Sequence, residues 1–340
     1  MKKLLDFISG FMEIGSVLYG LSNFSIAGAF CGALCYQAGN IVPSPFNPSA
    51  KASRIFAIAG LALAAAAIFN PLFYFAAMPL ISMSLQSARA IYKKLPSSGE
   101  NVPEDKYFAK MLKRICRVLG FALGFCLNPC LLAICAAAVI FALFKENGNE
   151  KISFKKPQMN TLCNVLVLHE IHYFVYCYSA MLIAYLSFQS IVWASFAFAA
   201  SWLSYVFCPN IYQRINFFSK IGHKRTFVIA HSFLAILLLV MFFCLSQESG
   251  RFMLLAIFLW FLTGLFGTTE FCIEELARKN GTYDKNSHNS AENIGHILGV
   301  ALSGIIYAIS GSLAVSVAAG AMFALFALLV MAFFAKETSK

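Results

Sequence analysis

The chain has 340 residues, 60% of them hydrophobic and only 12% charged, with a mean hydropathy of +0.73. Soluble domains carry about 25% charged residues, so this composition excludes an ordinary soluble domain and points to an all-α polytopic membrane protein. A formal net charge of +11 suits a nucleic-acid binder, but membrane chains gather Lys and Arg in cytoplasmic loops, and that reading is adopted, with no nucleic acid among the expected partners.

Apolar runs of about 20 residues cross a bilayer as helices. The first two are expected at 4–21 and 24–42, on either side of Leu21-Ser22-Asn23. The first begins with Lys2-Lys3, but Asp6 and Glu13 interrupt it and no small-residue cleavage site closes it, so it reads as a retained helix rather than a signal peptide. At 1.5 Å per residue Glu13 sits about 13 Å from the inner end, near the middle of a hydrocarbon core about 30 Å thick. Helices over 54–69 and 72–92 flank Asn70-Pro71, and the second carries Gln86 and Arg89 towards its inner end. Helices over 109–127 and 129–145 flank Asn128-Pro129, and the first carries Arg117.

After a polar segment at 146–160, the run 161–187 contains Leu-His-Glu-Ile-His-Tyr-Phe-Val-Tyr (168–176), in a stretch without Lys or Arg from Leu162 to Leu186. Glu170 lies about 14 Å into this helix, a depth like that of Glu13. His169 and His172 stand three apart and share a helical face. Further helices are expected at 190–209, 225–246, 251–275, 292–309 and 312–335, making twelve. Glu270 lies about 8 Å from the inner end of the tenth, with Glu274 and Glu275 closer to the interface. His296 lies in the eleventh.

A charge at mid-bilayer costs a few kcal/mol (~2.5–3.5 on insertion scales), so Glu13 and Glu170 are expected to face a cavity or a partner, as protonatable sites. The alternative is that hydroxyls or amides satisfy them and they only join helices. The two histidines suit proton transfer or anion binding. The zinc-protease spacing H-E-x-x-H is not met, because position 173 is Tyr, so no metal and no cofactor is expected. The eleven cysteines form no C-x-x-C; Cys31/Cys35 and Cys126/Cys130 are four apart and read as soft packing residues.

Short breaks alternate with longer polar connections at 43–53, 93–108, 146–160, 210–224 and 276–291. The termini, these connections and the adjoining helix ends hold every one of the 26 Lys and Arg residues except Arg251. Such segregation places that side, and both termini, in the cytoplasm.

The two groups of six also echo each other. Glu13-Ile14, with Tyr19 six residues after the acid, matches Glu170-Ile171 with Tyr176; Arg117-Val-Leu-Gly120 matches His296-Ile-Leu-Gly299. Each echo pairs helix n with helix n+6, as a duplicated six-helix unit requires. Lys220-Ile-Gly-His-Lys-Arg225 is similar to the tail of the G-x-x-x-D-x-x-G-R-[RK] loop of the major facilitator superfamily, with Asn216 and Phe217 where an acid is usual. The whole plan resembles that superfamily: 1–145 and 161–340 as pseudo-symmetric halves, 146–160 as cytoplasmic linker.

The resemblance implies alternating-access transport of a small solute. It places helices 1 and 7 around a central cavity, with Glu13 and Glu170 facing each other across it and Tyr19 and Tyr176 beside them. It also puts helices 4 and 10 at the cavity border, where Arg89 and Glu270 suit an inner gate with Gln86 nearby. Arg117 and His296 would bond across the two-fold axis. A monomeric, proton-coupled exporter of an organic solute in the plasma membrane, a bacterial inner membrane in particular, is expected. Metallophore or multidrug export, a non-transporting assembly subunit and a membrane lipid-modifying enzyme are the other readings; the last lacks repeated metal-ligand spacing in Glu104-Asp-Lys106 and in 286–293.

Overall fold

A computed structural model describes residues 1–41, 49–94, 106–144, 157–214, 220–247, 250–266 and 269–335. Most of the expected linker (146–156), the motif positions Asn216 and Phe217, and the acidic cluster at 104–105 lie outside the described residues. The chain forms two compact units, Met1–Lys156 and Pro157–Lys340. Among the described residues all regular structure is helical.

The N-terminal unit contains α1 (Lys2–Ile41), α2 (Ala50–Ala66), α3 (Leu72–Lys94), α4 (Lys106–Leu123, followed by a 3₁₀ turn at Gly124–Cys126) and α5 (Pro129–Phe144). Although α1 is 40 residues long, Phe24 and Ser25 leave helical geometry, and Ser25 has φ 64°. The chain reverses there. A Cβ on Gly20 would fall 2.0 Å from the Gly28 carbonyl oxygen, and one on Gly32 would fall 2.1 Å from the Ser16 carbonyl oxygen. Further along, the Ser9 and Tyr36 hydroxyls are 2.8 Å apart. Residues 20, 16 and 9 thus meet 28, 32 and 36 in turn, which defines an antiparallel hairpin whose small residues let the two backbones touch.

The Asn-Pro breaks work as local chemistry dictates. The Asn70 side-chain oxygen accepts from the Leu72 amide at 3.0 Å, and that of Asn128 from the Leu131 amide at 3.0 Å. Pro129 opens α5, where its missing N–H leaves no bond unmade. Leu5, Met12, Tyr74, Met78, Ile81 and Leu85 belong to the core of this unit.

The C-terminal unit contains α6 (Thr161–Phe174), α7 (Cys177–Phe188), α8 (Ile191–Arg214), α9 (His223–Leu245), α10 (Gly250–Phe266), α11 (Thr269–Lys279), α12 (Lys285–Ser310) and α13 (Ala314–Phe334). Asn160 caps α6 and Asp284 caps α12 through side-chain oxygens. Gly311 ends α12 at φ 67°, a left-handed position that a residue with a Cβ takes only under strain. Leu166, Phe227, Ile273, Leu276 and Met331 are among the core residues of this unit.

Among the described residues, helix lies within each of the expected stretches, with Phe24–Ser25 non-helical at the start of 24–42 and a break at Val175–Tyr176 inside 161–187. Among the described residues, six segments are long and apolar enough to cross a bilayer: Lys2–Asn40, Thr161–Phe188, His223–Leu245, Arg251–Lys279, Lys285–Ser310 and Ala314–Phe334. Pro129–Phe144 and Ile191–Phe207 are shorter apolar helices. Phe141, Trp193, Phe233, Leu254 and Phe333 stand exposed on these elements, as does Ile58 on α2. Apolar surface of that extent needs a lipid solvent.

Candidate functional site: buried acid–base pairs

In the N-terminal unit Glu13 is fully buried, and Arg117 Nη2 donates to its Oε2 at 2.6 Å. Two glycines create the approach. A Cβ on Gly10 would fall 2.1 Å from the Arg117 carbonyl oxygen, and one on Gly120 would fall 2.2 Å from that of Phe7. The Arg117 backbone therefore lies level with Gly10, about one turn below Glu13, and the long guanidinium spans the turn.

Nearby runs an ordered polar chain. Arg89 donates to Asp6 Oδ1 through Nε at 3.0 Å and lies 2.8 Å from it through Nη2. Its Nη1 donates to Ser9 Oγ at 3.2 Å and Gln86 Oε1 at 2.8 Å. Gln86 Nε2 donates to Asn40 Oδ1 at 2.7 Å, and Asn40 Nδ2 to Gln37 Oε1 at 2.9 Å. Ser82 also donates to Asn40 Oδ1, at 3.0 Å. Tyr19 stacks on Tyr74 with ring centroids 3.8 Å apart.

In the C-terminal unit His296 Nε2 lies 3.0 Å from Glu170 Oε2. Glu292, one turn before His296 on α12, completes a group whose candidate donor atoms all lie within 4.8 Å of one another. Here too glycines set the approach. A Cβ on Gly295 would meet Glu170 Cβ at 2.4 Å, and one on Gly299 would meet Phe174 Cβ at 2.6 Å. His296 is therefore level with Glu170, as its shorter side chain requires. Its ring also packs on Phe174, centroid to centroid 4.1 Å.

One residue before Glu170, His169 turns to a different cluster. Its Nδ1 is 3.1 Å from His231 Nε2 on α9. His172 Nδ1 donates to the His169 carbonyl oxygen, and His231 Nδ1 to that of Phe227 at 3.2 Å. All three imidazoles are buried.

The structure thus gives each acid of the sequence echo a base from the echoed helix, inside its own unit. Arg117 holds Glu13 and His296 holds Glu170. Within their own units Arg89 pairs with Asp6, and Glu270 accepts from the Tyr205 hydroxyl at 3.0 Å. Tyr176, expected beside Glu170, is wholly buried at the α6–α7 break and donates to Thr263 Oγ1 at 3.0 Å. Sequence reasoning missed Asp6, Asn40, Glu292 and His231 as members of these groups. His231 carries a visible signal, being the only ionisable side chain between Arg225 and Cys244.

No family model and no curated protein sequence matches the chain. Solved structures do match. The Escherichia coli fucose:proton symporter is 10% identical, with 100% of this chain and 98% of that one covered and a TM-score of 0.54. A bacterial homologue of the iron transporter ferroportin, in an outward-facing state, is 11% identical, with 97% of each chain covered and a TM-score of 0.60. An autoinhibited POT-family peptide transporter is 12% identical, with 99% and 97% covered and a TM-score of 0.61. The chain shares the fold of these transporters, at 10–12% sequence identity.

Proposed function

We propose that the chain is a secondary transporter of a small organic solute, crossing the bilayer twelve times as two six-helix halves with both termini cytoplasmic, and that it couples alternating access to protons. The observation that carries this reading is the unequal pair of pairs, Glu13–Arg117 and Glu170–His296. Arg stays protonated at any working pH, so Glu13 has a permanent counter-charge. His296 is charged only when protonated, and Glu292 lies beside it. The N-terminal pair is then a fixed ion pair, and the C-terminal group is the one that takes up and releases a proton as its exposure changes. The symporter and the peptide transporter that share the fold are named for a proton-coupled sugar and for peptides, which favours an organic cargo. The ordered amides at Gln86, Asn40 and Gln37 suit hydrogen bonding to such a cargo once one of their own bonds is exchanged.

Proteoliposomes with an internal pH dye, challenged with sugar, peptide, organic-cation and organic-acid panels, test the reading. At least one solute is expected to move protons across the membrane, and Glu170→Gln to abolish that movement while leaving solute binding measurable. No solute-linked proton flux from any panel, or flux unchanged in Glu170→Gln, would refute it.

A further inference from the structure

Three of the five histidines that the acid–base pairs do not use converge on one point. His169 and His172 come from α6 and His231 from α9, all within the C-terminal unit, and one ring nitrogen from each lies within 4.8 Å of the others. We propose that they bind one divalent first-row transition-metal ion, of the zinc, iron or cobalt kind.

The hydrogen bonds prepare the donors. Carbonyl oxygens only accept, so His172 Nδ1 and His231 Nδ1 each carry the proton of a neutral ring, pointed at the carbonyls of His169 and Phe227. That fixes the tautomer and leaves both Nε2 lone pairs for a ligand, which is the support that metal-binding histidines ordinarily receive from an outer carbonyl. His169 offers Nδ1, now shared with His231 Nε2 at 3.1 Å. A shift of its proton to Nε2 frees that lone pair with no net proton loss.

Three nitrogens at about 2.1 Å from a tetrahedral metal stand about 3.4 Å from one another. The His169–His231 spacing is already near this, and the outer limit of 4.8 Å closes by small ring rotations. Imidazole donors suit zinc, iron, cobalt, nickel and copper; with no oxygen donor in the triad, magnesium and calcium are disfavoured. Three neutral ligands leave a fourth position open and the doubly positive charge uncompensated. The site stands independently of the transport reading.

Tag-free protein in detergent, stripped with a chelator, is titrated with cobalt(II) and then with zinc(II). The visible bands of low-symmetry cobalt are expected to saturate at one equivalent and to be displaced by zinc, with excess magnesium silent. X-ray absorption of the zinc form is expected to count three imidazoles, a measurement that needs no variant. His231→Gln and His172→Gln are each expected to weaken binding by at least about 100-fold, with circular dichroism unchanged, and Glu292→Gln to leave it intact. Two imidazoles or fewer, absent bands, or binding lost in Glu292→Gln and kept in His231→Gln would overturn the proposal, the last by moving the metal to Glu170, Glu292 and His296.

Discussion

Arg117 reaches Glu13 from about one helical turn away, whereas His296 meets Glu170 from the same level, and both contacts rest on glycines in the facing helices. The length of the base and the register of the helix pair change together, and a buried carboxylate is paired in both units. The difference left over is chemical: the imidazole is charged only when protonated, whereas the guanidinium keeps its charge.

That difference gives a pH prediction. The imidazolium–carboxylate attraction at Glu170 is present while His296 is protonated and is lost as pH rises and the imidazole gives up its proton. His296→Lys, which keeps a cation at neutral pH, is expected to flatten the dependence of melting temperature on pH. Arg117→His is expected to steepen it. Equal slopes in wild type and His296→Lys would place the titration elsewhere.

Removing one base tests the other half of the idea. Arg117→Met leaves the Glu13 carboxylate buried without its closest cation. Breaking a fully buried pair costs about 3–5 kcal/mol, but the Arg117 side chain is 24% exposed, so a loss of roughly 1–3 kcal/mol is expected. Glu13→Gln combined with Arg117→Met is expected to recover part of that loss, because no uncompensated charge remains. Chemical denaturation in detergent reads both.

The helices and their Asn-Pro breaks were open to sequence reading because each is decided locally. Apolar run length and the Asn-Pro pairs at 70–71 and 128–129 need no knowledge of a partner; the caps Asn160 and Asp284 went unread, and the helix after Asp284 starts at Lys285 rather than at 292. The reversal at Phe24–Ser25 falls next to the expected break at 21–23, since Ser and Asn weaken the helix and close contact of Gly20 with Gly28 completes the turn. The break at Val175–Tyr176 was hidden, because no Pro or Gly marks it. The echo of Glu13 and Glu170, and of Arg117 and His296, singled out four residues that form two close pairs, but not which pairs with which. Pairing depends on which turns of two distant helices stand level, as Gly10, Gly120 and Gly295 show, and glycine spacing alone does not set that register. For the same reason Asp6 read as an interruption, although it binds Arg89 across 83 positions of sequence.

The glycines supply a contrast of their own. At Gly120 an added methyl would sit 2.2 Å from backbone oxygen, so Gly120→Ala has to push α4 off α1 and lengthen the Glu13–Arg117 bond. A loss of about 1–3 kcal/mol or more is expected. Gly281 has nothing within 4 Å of an added Cβ and a φ of +66°. Gly281→Ala therefore carries only backbone strain, about 1–2 kcal/mol, and is expected to leave proton-linked activity unchanged. Loss of activity in both variants to the same degree would mean that close packing at Gly120 has no special role.

Arg89 is the sharpest test of the amide chain in the N-terminal unit. Its guanidinium uses Nε and Nη2 for Asp6 and Nη1 for Ser9 and Gln86, a fork that the single ammonium of Lys cannot reproduce. Lys also leaves Gln86 Oε1 without a donor, freeing the Gln86 amide to turn and release Asn40. With the Arg89 side chain 12% exposed, Arg89→Lys is expected to destabilise by roughly 1–3 kcal/mol despite keeping the charge. Gln86→Ala in that background is expected to add little, because the bond it would remove is already lost. A double-mutant cycle on melting in detergent reads the coupling: an additive result would show that Arg89 and Gln86 act separately, while a coupling above about 0.5 kcal/mol marks one continuous network.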